Sequence, residues 1–277
     1  MRTRTGSAST VGRISAAPQR SRIHAVEDLS EIREDYARQG YAELGQLLDL
    51  DAVATLNEEL ADQEGRVLEH GDYGVLHNNA WRWHRGFSEL IQSGQLAAVA
   101  RVLLQVSDVV LFQDNLVWKT PGTTTRLEWH QDYSYWPLSE PDGVTLWLAL
   151  DDANTDNGCL HFLSGTHLLG ERQPADFVRG AEQPPIPTLP PLDWQKREHE
   201  AVPVPVQAGC LLAHHPLVWH MSPANLSNRH RRAFATTWLS SRVRWNPDHA
   251  PHPFNHELDA RKGDPVTGEN FPQFREV

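Results

Sequence analysis

From about residue 108 the chain stops reading as helix and becomes a series of short apolar runs, and this change limits the possible folds most. DVVLFQDNLVWK, GVTLWLALDD, CLHFL, CLLAH and RRAFATTWLS are β-branched or aromatic, and Gly, Pro, Asn or Asp bound them. Runs this short, separated by turn residues, suit strands better than buried helices. The first third differs. DAVATLNEELADQ repeats Val53, Leu56 and Leu60 at helical spacing, with Asp49 or Asp51 as its cap. GFSELIQSGQLAAVARVLLQ sets Leu96, Val99 and Leu103 on one stripe. The expected fold is mainly β: a sandwich or barrel-like double sheet with amino-terminal helices packed outside.

The 277 residues suit one large domain, expected over 27–277. The first 26 residues carry five arginines and no acid, and read as a disordered leader. Between Glu171 and Glu200 six prolines exclude a regular helix or a central strand. A loop of that length inside a compact domain is usually functional, so 171–200 is a candidate lid, with plain surface insertion as the alternative.

A net charge of −11 opposes phosphate contacts and argues against nucleic-acid binding. Cys159 and Cys210 are too few for a disulfide framework, and no stretch has the length and apolarity of a membrane span. A cytoplasmic protein acting on a small molecule is expected. No feature of the chain specifies an oligomeric state.

The sharpest local feature is Trp129-His130-Gln131-Asp132. On a strand, residues two apart share a face, so His130 and Asp132 would point into one cavity. An imidazole and a carboxylate supply two of the three ligands of a facial iron(II) site and leave positions open for substrate and dioxygen. In a chain with fifteen histidines such a pair is weak evidence by itself. His220, in HHPLVWHMSPANLS, is one source of the third ligand, and His214 and His215 compete with it. Spacing does not choose among them.

WHQDYSYWP, NGCLHFLSGTH and HPLVWHMSPANLSNRHRRAF, in that order, resemble the phytanoyl-CoA dioxygenase family of iron(II)- and 2-oxoglutarate-dependent oxygenases. The likeness also takes in YARQGYAEL, DAVATLNEEL and GDPVTGENFP, and so runs over most of the chain from about residue 30. It implies a double-stranded β-helix (a jelly roll of the cupin type). It also implies iron held by His130, Asp132 and His220, and 2-oxoglutarate gripped by the arginine eleven residues after the distal histidine, which is Arg231. A guanidinium matches a carboxylate with two parallel donors, so arginine suits that task better than lysine. In the run Arg229 to Arg232 only the family register singles out Arg231.

Ser222 is expected to add a hydroxyl at the co-substrate and Trp147 an indole, while Asn115 and Lys119 join them as pocket liners. Tyr133, Tyr135, Trp136, Gln113 and Arg126 are candidate substrate contacts. Met221 stands where the family often has glycine, and Ser164 where it usually has proline. Both bear on the substrate rather than on the ligands. Related halogenases lack the carboxylate ligand, so Asp132 favours hydroxylation or a similar oxidation, with dioxygen consumed and succinate and carbon dioxide released. Two readings from other classes stand beside this one. One is an oxygen-independent hydrolase or isomerase using another divalent ion on the same ligands. The other is a non-catalytic binding protein that kept the fold.

Overall fold

A computed structural model describes residues 29–61, 75–175, 188–250 and 260–276. The expected leader, 1–26, and the middle of the proline-rich segment, 176–187, lie outside the described residues.

The amino-terminal part supplies α1 (Leu29–Gln39), β1 (Tyr41–Gln46) and α2 (Leu50–Glu59), then β2 (Val75–Asn78), α3 (Arg85–Gln92) and α4 (Gln95–Leu104). Asp49 caps α2, its carboxylate accepting from Ala52 N at 2.8 Å. The run expected as one stripe from Gly86 to Gln105 is two helices. Gly94 takes φ +73, a left-handed conformation open to glycine at no steric cost, and the chain turns there. Both pieces still bury their apolar faces, through Phe87, Leu90 and Ile91 in α3 and Leu96, Val99 and Leu103 in α4.

The strands follow as β3 (Asp108–Lys119), β4 (Leu127–His130), β5 (Gly143–Ala149), β6 (Leu160–Leu163), β7 (Val202–Val204), β8 (Cys210–His214), β9 (Trp219–Ser222), β10 (Arg231–Ser240) and β11 (Gln273–Arg275). They form two antiparallel sheets. The larger runs β1-β8-β5-β10-β3-β11, with β2 also on β3, and the smaller runs β4-β9-β6-β7. From β3 to β10 the chain crosses from one sheet to the other at almost every connection. That winding is the expected jelly roll.

The period-2 alternation of strands separates two interiors. On one face of the larger sheet Val144, Leu146, Leu148, Leu211, Ala213, Phe234 and Trp238 pack with the helices into the largest core cluster. On the other face Trp147, Ala149, Leu212, Ala233 and Ala235 meet Phe162 of the smaller sheet. The run HHPLVWHMS, which reads as one strand, is split between sheets. His214 ends β8, a turn crosses over, and Trp219 begins β9. On the outer face of the smaller sheet Trp129, Leu163, Trp219 and Met221 are covered by Leu192, Trp194 and Ala201. This part of the expected lid therefore lies on the sheet's back, away from its two inward histidines.

Candidate metal centre

Strands β4 and β9 pair so that His130 stands opposite His220. Each is 3% exposed, and their rings lie 4.1 Å apart. Asp132 completes the group: its Oδ1 is 3.5 Å from Nε2 of His130 and 3.5 Å from Nε2 of His220. One donor atom from each of the three residues lies within 4.8 Å of the others. The His130–Asp132 pairing does not arise as strand parity predicts. β4 ends at His130, and Asp132 has right-handed helical backbone angles (φ −65°, ψ −42°) at the start of a 3-10 turn. The turn, not the pleat, swings the carboxylate back to the histidine.

Both imidazoles are set for metal. Nδ1 of His130 meets Glu128 O at 2.7 Å, and Nδ1 of His220 meets Val218 O at 3.1 Å. A hydrogen placed on Nδ1 satisfies each carbonyl and leaves the Nε2 lone pair facing Asp132, the usual outer support of a ligating histidine. Burial, with His130 alongside, holds His220 well below the ordinary imidazole range, which keeps that lone pair free of a proton. Burial works against the charge of Asp132, yet the three imidazoles around it, His220 first, outweigh burial and hold the carboxyl well below its usual range. Two imidazoles and an ionised carboxylate clustered this way fit a divalent first-row ion.

The alternatives for the third ligand separate cleanly. His214 hydrogen-bonds the far oxygen of Asp132, at 3.1 Å. His215 turns away, accepting from Leu217 N and facing the ring of His167. Gln131, between the two ligands, points out of the site. It donates to Gly170 O and Leu217 O and accepts from Arg172 N, tying the loop after β6 to the β8–β9 turn.

Across the larger sheet, inward positions line up in rows beneath the candidate ligands. Gln113 stands opposite Thr237, Thr237 opposite Thr145 and Thr145 opposite His214. The next row holds Asn115, Ala235, Trp147 and Leu212, and farther along β10 Arg231 stands opposite Lys119. Arg231 is 1% exposed, donates from Nη2 to Ser222 Oγ at 3.1 Å, and has its guanidinium 5.7 Å from the Trp147 ring. Ser222 is fixed in turn by donating to Gly158 O at 2.9 Å. Gly158 has φ +88°, and a Cβ there would sit 2.6 Å from Pro223 O, so only glycine lets the two turns close.

Lys119 differs from the co-substrate contact expected of it. Its Nζ donates toward Thr125 O at 3.1 Å, Ser222 O at 3.0 Å and Pro223 O, so backbone carbonyls already take its hydrogens. Burial, with Arg231 and Arg126 nearby, pushes its pKa down to about 6. It shapes the pocket through the turn that carries Ser222. The aromatic candidates divide as well. Tyr133 and Trp136 pack into a separate core cluster with Phe112 and Trp245, and the Tyr133 hydroxyl donates to Leu138 O. Tyr135 stays near the ligands, its ring 6.4 Å from that of His130, and its hydroxyl donates to Ala175 O. Arg126 is half exposed and 3.7 Å from Glu128, which places it at the surface. Thr145 was hidden in an apolar strand, and only its parity with Trp147 signals that it faces the site.

Known proteins resemble this chain in sequence and in fold. Of the curated relatives, phytanoyl-CoA dioxygenase domain-containing protein 1 of Bos taurus is 35% identical over 175 residues, covering 58% of this chain and 56% of that protein. The chain thus spans little more than half the length of such relatives. Among solved structures, the non-haem α-ketoglutarate-dependent carbocyclase SnoK from nogalamycin biosynthesis superposes with a TM-score of 0.70 at 23% identity, over 88% of this chain and 95% of that one. The epimerase SnoN, solved with Fe3+, α-ketoglutarate and nogalamycin RO, superposes with a TM-score of 0.69 at 22% identity, over 89% and 98%. At these identities the structures establish a shared fold. The family model for phytanoyl-CoA dioxygenase matches residues 36–233, a span that contains all three clustered ligands and Arg231, and the chain belongs to that family.

Proposed function

We propose that this protein is an iron(II)- and 2-oxoglutarate-dependent dioxygenase that hydroxylates a small-molecule substrate. The observation that carries the reading is the convergence of His130, Asp132 and His220, with both Nε2 atoms facing one carboxylate oxygen. These residues would hold iron(II) on one face and leave the opposite face open. Bound there, iron and 2-oxoglutarate supply dioxygen activation coupled to loss of carbon dioxide from the co-substrate. The atoms balance as R–H plus 2-oxoglutarate plus O2 giving R–OH, succinate and CO2.

The chain's own part is binding and orientation. Arg231, buried and steadied by Ser222, offers the planar donors that a distal carboxylate needs, and Trp147 lies beside it to cover the carbon chain. Ala233 and Ala235 keep the inward face of β10 low between Arg231 and Thr237, which leaves room for an extended dicarboxylate. Asn115, in the row of Trp147, borders the co-substrate, and Gln113 and Tyr135 serve as polar substrate contacts.

The test requires no knowledge of the substrate. Under anaerobic conditions the protein should develop a weak visible charge-transfer band that needs both ferrous iron and 2-oxoglutarate, and Asp132→Ala should lose it. Iron binding without any such band would overturn the co-substrate assignment and favour an oxygen-independent metal enzyme on the same ligands. Absence of metal binding would favour a binding protein.

A further inference from the structure

The three ligands are not held in the same way. His130 and His220 are strand residues in register with each other, and each ring is locked by a carbonyl two residues back in its own chain. Asp132 has neither support. It lies beyond the end of β4, and its side chain is 20% exposed against 3–4% for the histidines. Something else must fix the carboxylate.

Its two oxygens have different surroundings. Oδ1 faces the two histidine Nε2 atoms, whereas Oδ2 is 3.1 Å from His214 Nε2 and 3.2 Å from Thr145 Oγ1. Both of those residues belong to the opposite sheet, where Thr145 on β5 stands in register with His214 on β8. Nδ1 of His214 is buried and has no hydrogen-bond partner among the described residues. A hydrogen there would be a buried, unsatisfied donor, so the ring's hydrogen belongs on Nε2, aimed at Asp132. Phe162 lies 5.8 Å from the His214 ring and 5.9 Å from that of His220, beside the two rings, which are themselves 4.6 Å apart.

We propose that His214, with Thr145, is a positioning residue that reserves Oδ2 and makes Asp132 a one-oxygen ligand through Oδ1. The inference rests on the metal-site reading above. Rotating the carboxylate to grip the ion with both oxygens would break two hydrogen bonds to the other sheet. A one-oxygen grip keeps one more coordination position open for co-substrate or dioxygen. It also couples the separation of the two sheets to the geometry at the metal.

Cobalt(II), whose visible absorption reports coordination number, is the probe, titrated into the apoprotein without co-substrate. Wild type should take up one cobalt and His130→Ala should not. His214→Ala and His214→Asn should bind about 10–100-fold more weakly, with a changed visible spectrum. His214→Gln, whose amide nitrogen reaches the place of Nε2, should return affinity to within about threefold and restore the spectrum, in keeping with a single retained hydrogen bond. Gln and Asn carry the same amide, so a purely structural role would not separate them. Thr145→Val, near in shape to the native residue, should weaken binding in the same direction if His214→Ala fails to fold. Wild-type affinity and spectrum in His214→Asn or Thr145→Val would overturn the positioning role alone. Failure of wild type to bind cobalt, or equal binding by His130→Ala, would remove the metal-site reading and this inference with it.

Discussion

The two faces of the larger sheet are made by the same strands and differ in character: one is mainly apolar, the other mixes apolar side chains with buried polar ones. Toward the helices, β5, β8 and β10 present Val144, Leu146, Leu148, Leu211, Phe234 and Trp238, all buried in one apolar cluster. Toward the smaller sheet, the same strands present Thr145, His214, Thr237 and Arg231, which are just as buried and polar. One face gains stability by removing apolar surface from water. The other spends some of it, because each buried polar group must find a partner or cost free energy. Buried polar side chains gather mostly on the second face, while the first packs against the helices.

That division can be broken by substitution. Phe234→Ala, on the apolar face, should cost about 3–5 kcal/mol in urea unfolding while cobalt affinity stays within about threefold. A larger loss of metal affinity would show that the two faces are not independent. Arg231→Ala, on the polar face, should show the reverse. Apparent affinity for 2-oxoglutarate should fall about 10–100-fold by anaerobic titration, the scale of a charge-assisted pair, with unfolding stability retained or raised since a buried charge is removed. Unchanged co-substrate affinity would move the role to Arg229 or Arg232.

Asp114 is an exception that sharpens the comparison. It points from β3 to the helix side and accepts from Ala80 N at 2.7 Å and Trp81 N at 3.4 Å. Burial pushes its carboxyl up to about 7, against those two hydrogen bonds. The folded state therefore keeps a proton that the unfolded chain releases near pH 4, so stability from this group falls as pH rises from about 4 to about 7 and then levels off. Asp114→Asn should remove that slope, as followed by unfolding free energies from pH 5 to 8. A variant with the wild-type slope would assign it elsewhere.

The smallest effect is expected at the rim. His249 meets Glu171 at 2.8 Å and Trp136 O at 2.7 Å, and although burial opposes its charge these bonds raise its pKa. Its contribution is complete below the unfolded value near 6.5 and is lost as pH climbs through the raised folded value. His249→Gln should cost about 1 kcal/mol at pH 6 and less at pH 8. Equal cost at both pH values would mean that packing against Tyr133, not charge, is what the ring supplies.

Much of this was legible in the linear order of residues. Composition and run length separated the helical third from the strands, because burial on one face of an element imposes its period on the sequence. The candidate ligands could be named from WHQD and the distal histidine, and Arg231 from its distance to His220, only through the family resemblance. Less legible were the break at Gly94, since a stripe continues across a turn when both helices face one core, and the division of HHPLVWHMS between two sheets. Lys119 shows another limit. A lysine before a turn reads as a pocket cation, and only the carbonyls of Thr125, Ser222 and Pro223 reveal that its donors are already taken.

The sequence by itself determined which residue types were available and the parity that sends each strand's side chains to one interior or the other, because those depend on neighbours along the chain. The tertiary structure alone decided what depends on neighbours across it. His214 stands outside the ligand set and behind Asp132, and Asp132 reaches the histidines by a turn past the end of its strand. Thr145, 77 positions from Ser222 and 86 from Arg231 in the chain, lines with them one interior between the two sheets. Hydrogen bonds and charges act over a few ångströms of space, and only the winding of two sheets brings those few ångströms about.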